Sequence, residues 1–400
     1  MITRVGLALA LAASGVMIHA APAGAALSGA PDRTWMTNGI VYSEVESGNT
    51  IYIGGQFTRV SGCPPEVSCP SKTIDVLNLA ALDATTGTPV SAFRPRIEGT
   101  DAIVYALAVL GGKLFIGGQF AAVDGTPRRN LAAVDLVTGA LDPNVDHQVG
   151  IDNSDRIRGM VATDTRVYAV GAFVEIDGQN RRHLAAFDAG GALDPTWQPR
   201  TNGGGTHTVT MTCDGSAVIA GGGFREAAGS GGSRQERLGL AMFDAASGAL
   251  NPWAPDSSAL PPYAYPYDLA ANCSRLFVGT GDRNKIFALS LTRNPGALLW
   301  ILTTDGNAQA VALRGNRLLV GGHFHVVPDV STGQDVPRLH FAVLDLNGNL
   351  QYDWVPSFGG HIHTGVWDIL VAGRQIWVGG GFTDVSGVEQ CGVARFTDVQ

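Results

Sequence analysis

One phrase recurs along this chain and limits its fold more than any other feature. In the form apolar-aromatic-apolar-Gly-Gly-x-Phe it stands at residues 51–57, 114–120, 167–173, 218–224, 276–282, 318–324 and 376–382. Five copies keep close to the pattern; those at 167–173 and 276–282 depart from it, and the latter lacks the final phenylalanine. Successive copies begin 63, 53, 51, 58, 42 and 58 residues apart. That spacing suits the blades of a propeller rather than the shorter units of a solenoid.

The second unit shows the pieces of one repeat. Residues 104–109 are small and apolar on both faces, as a strand buried on both sides must be. The turn Gly111-Gly112 leads to 114–120, a loop at Asp124-Gly125 leads to 130–136, and a short outer piece follows at Leu141-Asp142-Pro143. Tight turns of this kind join neighbours as antiparallel hairpins. Glycine, 53 of 400 residues, is about twice its usual ~7%, which fits many strands joined by such turns. The pattern predicts an all-β fold, a seven-bladed β-propeller with four antiparallel strands per blade. The last unit stops at 392–396 without an outer strand, while Asp32-Arg33-Thr34-Trp35 resembles the outer phrase Asp194-Pro195-Thr196-Trp197. The mature N-terminus is therefore expected to complete the last blade and close the ring, leaving no open sheet edge.

The run Gly-Gly-x-Phe-x-x-Val-x-Gly, the segment 79–87 and the outer Asp-Pro-x-Trp together resemble the β-propeller repeat of unknown function found in secreted bacterial proteins. The resemblance covers residues 32–400 and implies the fold, but no activity and no catalytic residue. Segments 79–87 and 240–248 also resemble the tryptophan-docking repeat of quinone-dependent dehydrogenases. Their Asp and Gly suit equally a hairpin turn, in which the Asp side chain holds backbone amides and Gly takes positive φ. The turn is the better reading, and no cofactor follows from the sequence.

Arg4 followed by the apolar run 5–18 reads as a secretory leader, too short for a membrane span of ~20 residues. Cleavage is placed after Ala25, giving a signal peptide at 1–25 and a single propeller domain at 26–400, secreted to the outside of the cell with no membrane span after leader removal. Export permits disulfides. Cys63–Cys69 would close a small inserted loop, and Cys213–Cys273 would join related turns of consecutive blades, with Cys391 the odd fifth cysteine. A net charge of -8 makes nucleic acid an unsuitable partner.

In an up-down blade the 2–3 loops and the 4–1 connections leave on one face, here called the upper face. Every histidine beyond the leader falls there: His147, His207, His361 and His363 in 4–1 connections, His323 and His325 at the end of a second strand, His183 and His340 at the start of third strands. His323, His325, His361 and His363 form the compact group that spacing allows as metal ligands. Most polar residues must lie on that face in any case, because the lower turns are short, so no metal is assigned. Asp268 and Asp368 share the place of Ala106 on inner strands and are expected to line the channel. The stiff run 261–267, with Tyr263 and Tyr265, offers rings for stacking on a sugar or docking a protein. The leading expectation is a binding module that recognises a glycan or protein through Tyr263, Tyr265, His207, His361 and His363. The alternative is a metal-assisted hydrolase or lyase at the upper mouth of the channel.

Overall fold

The computed structural model describes residues 27–62, 72–256, 265–281, 283–360 and 365–398. The repeated Gly-Gly explains how neighbouring strands meet. A Cβ on the first glycine would strike the next sheet: Gly54 would meet Val104 Cγ1 at 2.4 Å, and Gly321 would meet Val366 Cγ1 at 2.3 Å. A Cβ on the second would strike the backbone of its own sheet: Gly55 would meet the Ile40 carbonyl oxygen at 2.0 Å, and Gly118 that of Ile103 at 2.1 Å. One glycine thus brings two sheets together, and the other admits a kink in the adjacent strand. Val170 replaces the first glycine in the third copy, and Thr280 replaces the second in the fifth.

The inner strands are Ile40–Ser47, Ile103–Leu110, Arg156–Ala162, Thr206–Met211, Pro266–Ala271, Ala308–Arg314 and Val366–Ala372. Each pairs antiparallel with the strand carrying its Gly-Gly phrase, which pairs in turn with a third strand such as Leu79–Asp83 or Leu131–Asp135. Each inner strand packs on the next in chain order, and the last packs on the first. Sheets arranged radially around their inner strands in this way make a β-propeller. At the seam between last and first, Tyr42 and Trp367 meet edge to face at 5.0 Å.

The outer strand is weaker than the repeat suggested. Only Leu298–Thr303, beside Lys285–Ser290, is a regular outermost strand among the described residues. Elsewhere an isolated antiparallel bridge takes its place, as at Leu82↔Pro89, Val134↔Leu141, Phe187↔Leu193 and Phe243↔Leu250. Pro89, Pro143, Pro195 and Pro252 supply the reason, since proline has no N–H with which to extend a ladder. The N-terminal segment occupies the same place beside Val393–Thr397, through bridges Asp32↔Arg395 and Leu27↔Asp398. Tryptophans of the outer pieces pin one sheet to the next: the indole N–H groups of Trp197, Trp253 and Trp354 donate to the carbonyls of Asp244, Ser290 and Ser28 at 3.2, 3.0 and 2.9 Å.

The 2–3 loops and the incoming connections do share a face, because they pair with one another. Ala122–Val123 pairs with Thr126–Pro127 on one side and with Ile97–Glu98 on the other. Met36–Thr37, Arg59–Ser61 and Thr73–Asp75 repeat the arrangement. Cys213 and Cys273, at the lower ends of consecutive inner strands, form a disulfide with a Cα–Cα distance of 5.0 Å. Cys63 and Cys69 lie outside the described residues. No described helix is long and apolar enough to cross a membrane.

Candidate functional site

Every inner strand carries a β-bulge near its upper end. The register skips Tyr42, Tyr105, Arg158, His207, Tyr267, Gln309 and Trp367, one per strand. A residue left out of the ladder is re-aimed by the kink, and here all of them turn into one cavity of about 140 Å³ at the channel mouth. They form a collar of large groups capable of hydrogen bonding. Tyr42 meets Tyr105 at 5.4 Å, the Arg158 guanidinium lies 5.6 Å from the Tyr105 ring, and His207 meets Tyr267 at 5.6 Å. Several polar atoms of the collar are buried with no partner: Gln309 Oε1, Trp367 Nε1 and Arg158 Nε. Unpaired buried polar atoms are uncommon and are met by water or by a ligand.

Below the collar lie the two predicted carboxylates, both on the cavity wall. Each ties its strand to the next. Asp268 accepts from the N–H of Val311 at 2.8 Å and of its neighbour Leu269 at 2.8 Å, and Asp368 accepts from Glu44 N–H at 2.5 Å and Ile369 N–H at 2.9 Å. Ser43 does the same with a hydroxyl, accepting from Leu107 N–H at 3.1 Å. Burial nevertheless dominates and pushes Asp268 up to about 6; it pushes Asp368, with the Asp268 charge adding to it, to about 7. The sequence reading missed a third carboxyl, Glu44. It is buried with both oxygens unpartnered, and burial, helped by Asp368, raises it well above the usual range. Other inner strands place Leu107, Met160, Val209, Leu269, Val311 and Ile369 after the small residue, where the first places Glu44.

The histidines divide into two groups. His183 and His340 hold positive φ, 72° and 62°, at a site where Asn78 and Asn130 hold 64° and 63°. The asparagines bridge to the incoming connection, as Asn78 Nδ2 does to the Ile97 carbonyl at 2.9 Å; His340 Nδ1 keeps that link, donating to the Phe358 carbonyl at 2.6 Å. These histidines are structural. His147 is also tied at both nitrogens, Nδ1 to Asp177 at 2.6 Å and Nε2 to the Gly191 carbonyl at 2.8 Å. His207 and His323 belong to the mouth. His207 is held down to about 3 by burial and by the nearby Arg158 and Arg156 charges, so its ring is neutral, and Nε2 shares a hydrogen bond with Tyr265 Oη at 2.5 Å. His323 meets Trp367 at 5.4 Å. His325 turns to Asp305, with Nδ1 at 3.2 Å.

Tyr265 differs from expectation. It is no exposed platform but half-buried, bonded to His207 and packed so closely on Gly223 that a Cβ there would fall 2.2 Å from its ring. Tyr263, His361 and His363 lie outside the described residues. Among the described residues no three His, Cys, Asp or Glu side chains are placed to hold a metal ion. The collar itself escaped the sequence reading, which followed only the aspartate column. Its signal was one residue earlier, a large polar or aromatic residue before a small or acidic one in every copy: Tyr42-Ser43, Tyr105-Ala106, Arg158-Gly159, His207-Thr208, Tyr267-Asp268, Gln309-Ala310, Trp367-Asp368.

Residues 163–196 match the family model described as a domain of unknown function (DUF5122) beta-propeller. No curated protein matches the chain. Among solved structures, the WD40 beta propeller domain of Doa1 is similar with a TM-score of 0.54 at 9% identity, over 93% of this chain and 98% of that one. The computationally designed Ika8 protein is similar with a TM-score of 0.50 at 14% identity, over 92% and 99%. At such identities likeness speaks to fold alone, and the fold it gives is the one the strand pairing gives: the chain is a β-propeller of unknown function.

Proposed function

We propose that this chain is an exported binding propeller that holds a glycan or protein ligand at the upper mouth of its channel. The observation that carries the reading is the collar: each inner strand spends a bulge on one large side chain, and the buried polar atoms of Gln309, Trp367 and Arg158 are left without partners. Tyr263, His361 and His363, which precede the inner strands Pro266–Ala271 and Val366–Ala372 in the sequence, are proposed as further ligand contacts. The scaffold is proposed as seven blades of four strands each, closed by the mature N-terminus. The repeat count, the single bridges at the outer positions and the Asp32↔Arg395 pairing support it. The Cys213–Cys273 disulfide supports export after removal of residues 1–25, and with it a Cys63–Cys69 bridge.

The test is binding of the mature protein to a printed oligosaccharide array, followed by titration with any hit. Trp367→Ala and Tyr42→Ala are expected to weaken binding at least tenfold, while Asn316→Ala in a lower turn leaves it unchanged. Equal binding by all three variants refutes the site.

One observation favours a second reading, acid–base hydrolysis or elimination. Asp268, Asp368 and His207 line the same cavity, and the aspartates are tuned toward neutral pH. Turnover of a bound glycan that Asp268→Asn and Asp368→Asn abolish without loss of affinity would establish it over simple binding.

A further inference from the structure

We propose that the collar is built for a carboxylate-bearing sugar and that Arg158 is the anchor for its acid group. The inference rests on the binding reading above and names the ligand class of that same site. Arg166, Arg314, Arg317 and Arg395 each meet an aspartate. Arg128, Arg181, Arg237 and Arg338 also bury an unpartnered Nε, but each donates through another guanidinium nitrogen to a carbonyl; Arg158, on the channel wall, meets neither carboxylate nor carbonyl among the described residues. Its guanidinium lies over the Tyr105 ring, its Nε is buried without an acceptor, and the charge that bears on it most is another cation, Arg156. Burial and Arg156 together press its proton affinity down, the mark of a desolvated cation without a counter-ion. Such a group is costly to hold until an anion meets it, and the guanidinium fork fits a carboxylate with two parallel hydrogen bonds.

Other strands contribute the opposite chemistry. Asp268, Asp368 and the unpartnered Gln309 Oε1 are acceptors, suited to hydroxyl donors. The same cavity is lined by the rings of Tyr42, Tyr267 and Trp367, which suit the face of a sugar ring. A ligand that satisfies all three needs an acid group, several hydroxyls and a flat ring edge. A neutral sugar leaves Arg158 unmatched, and a peptide C-terminus brings its acid without the hydroxyls. A cavity of about 140 Å³ has room for one terminal ring, so a chain end enters rather than a chain passing through.

The test is calorimetric titration of the mature protein with two disaccharides that differ only at C6 of the terminal ring, glucuronic acid against glucose. The acid is expected to bind at least tenfold more tightly. Arg158→Gln should erase that preference, so that the two disaccharides bind alike, and Arg158→Lys should retain part of it. Should Arg158→Gln fail to fold, raising NaCl from about 50 to about 500 mM on the unmodified protein should weaken the acid and spare the neutral sugar. Equal affinity for both disaccharides, or a silent Arg158→Gln, overturns the proposal; so does a peptide with a free C-terminus that outbinds the uronide and loses binding when amidated. Loss of both sugars in Trp367→Ala with Arg158→Gln silent would sink the acid anchor and leave the binding reading standing. If neither sugar binds and Trp367→Ala changes nothing, both fall.

Discussion

Replacing Gly118 by alanine tests the link between the repeat motif and the channel. An added Cβ would lie 2.1 Å from the Ile103 carbonyl oxygen and 3.1 Å from the Ile103 carbonyl carbon and Val104 Cα. About 1 Å must be recovered, and the obstacle is backbone at the bulge that presents Tyr105, so no side-chain rotation relieves it. Overpacking of this kind costs about 1–3 kcal/mol. With the bulge also disturbed, a loss of about 3 kcal/mol is expected. Two glycines serve as scale. Gly125 has open space but a φ of +74°, so alanine there should cost about 1–2 kcal/mol from left-handed strain alone. Gly29 has open space and no such φ, and its replacement should cost almost nothing. Urea unfolding followed by tryptophan fluorescence should rank the variants Gly118→Ala, Gly125→Ala, Gly29→Ala from least to most stable. With a slope near ~3 kcal/mol/M, the first should lose about 1 M in midpoint. If Gly118→Ala unfolds at the midpoint of Gly29→Ala, the second glycine does not serve the bulge and the account of the motif is wrong.

The carboxyls of the channel give a signed pH dependence. Asp368 titrates near 7 in the folded chain and near ~4 unfolded, so the folded state binds the extra proton between those values and loses stability as pH rises through that window. Asp268 and Glu44 act in the same direction, Tyr42 stays neutral throughout, and His207, lowered to about 3, acts oppositely. The difference between the unmodified protein and Asp368→Asn reports Asp368 with its coupling to Glu44 and Asp268: it should move against the unmodified protein as pH rises from about 4 to 7. A difference independent of pH refutes the shift. Asp32→Ala removes the acceptor of Arg395 Nε at 3.1 Å and Thr397 Oγ1 at 2.5 Å, with Arg395 9% and Asp32 26% exposed. It should cost about 2 kcal/mol in one cooperative urea transition. A separate early transition, or no change, argues against closure of the ring by the N-terminal segment.

Much was legible in the sequence because it is local. A hairpin writes its glycines and aspartates into the chain within a few residues, so the repeat, the strand order and the shared face of loops and connections could be read from residues 51–57 and their copies. The Cys213–Cys273 pair was legible for a related reason: equivalent turns of consecutive units must lie side by side. What escaped was decided by the ring. No segment of the sequence announces that Tyr42 and Trp367, more than three hundred positions apart, meet edge to face, or that Asp368 accepts the Glu44 N–H, since those contacts exist only when the last inner strand meets the first. His183 and His340 fell on the upper face with the other histidines, yet they share the backbone conformation of Asn78 and Asn130, and His340 keeps their carbonyl link, which only the structure reveals. The sequence by itself determined the blade, because strand and turn preferences act over a few residues. The tertiary structure alone decided the collar: seven separate bulges become one site only when radial packing brings their kinked ends to a common axis.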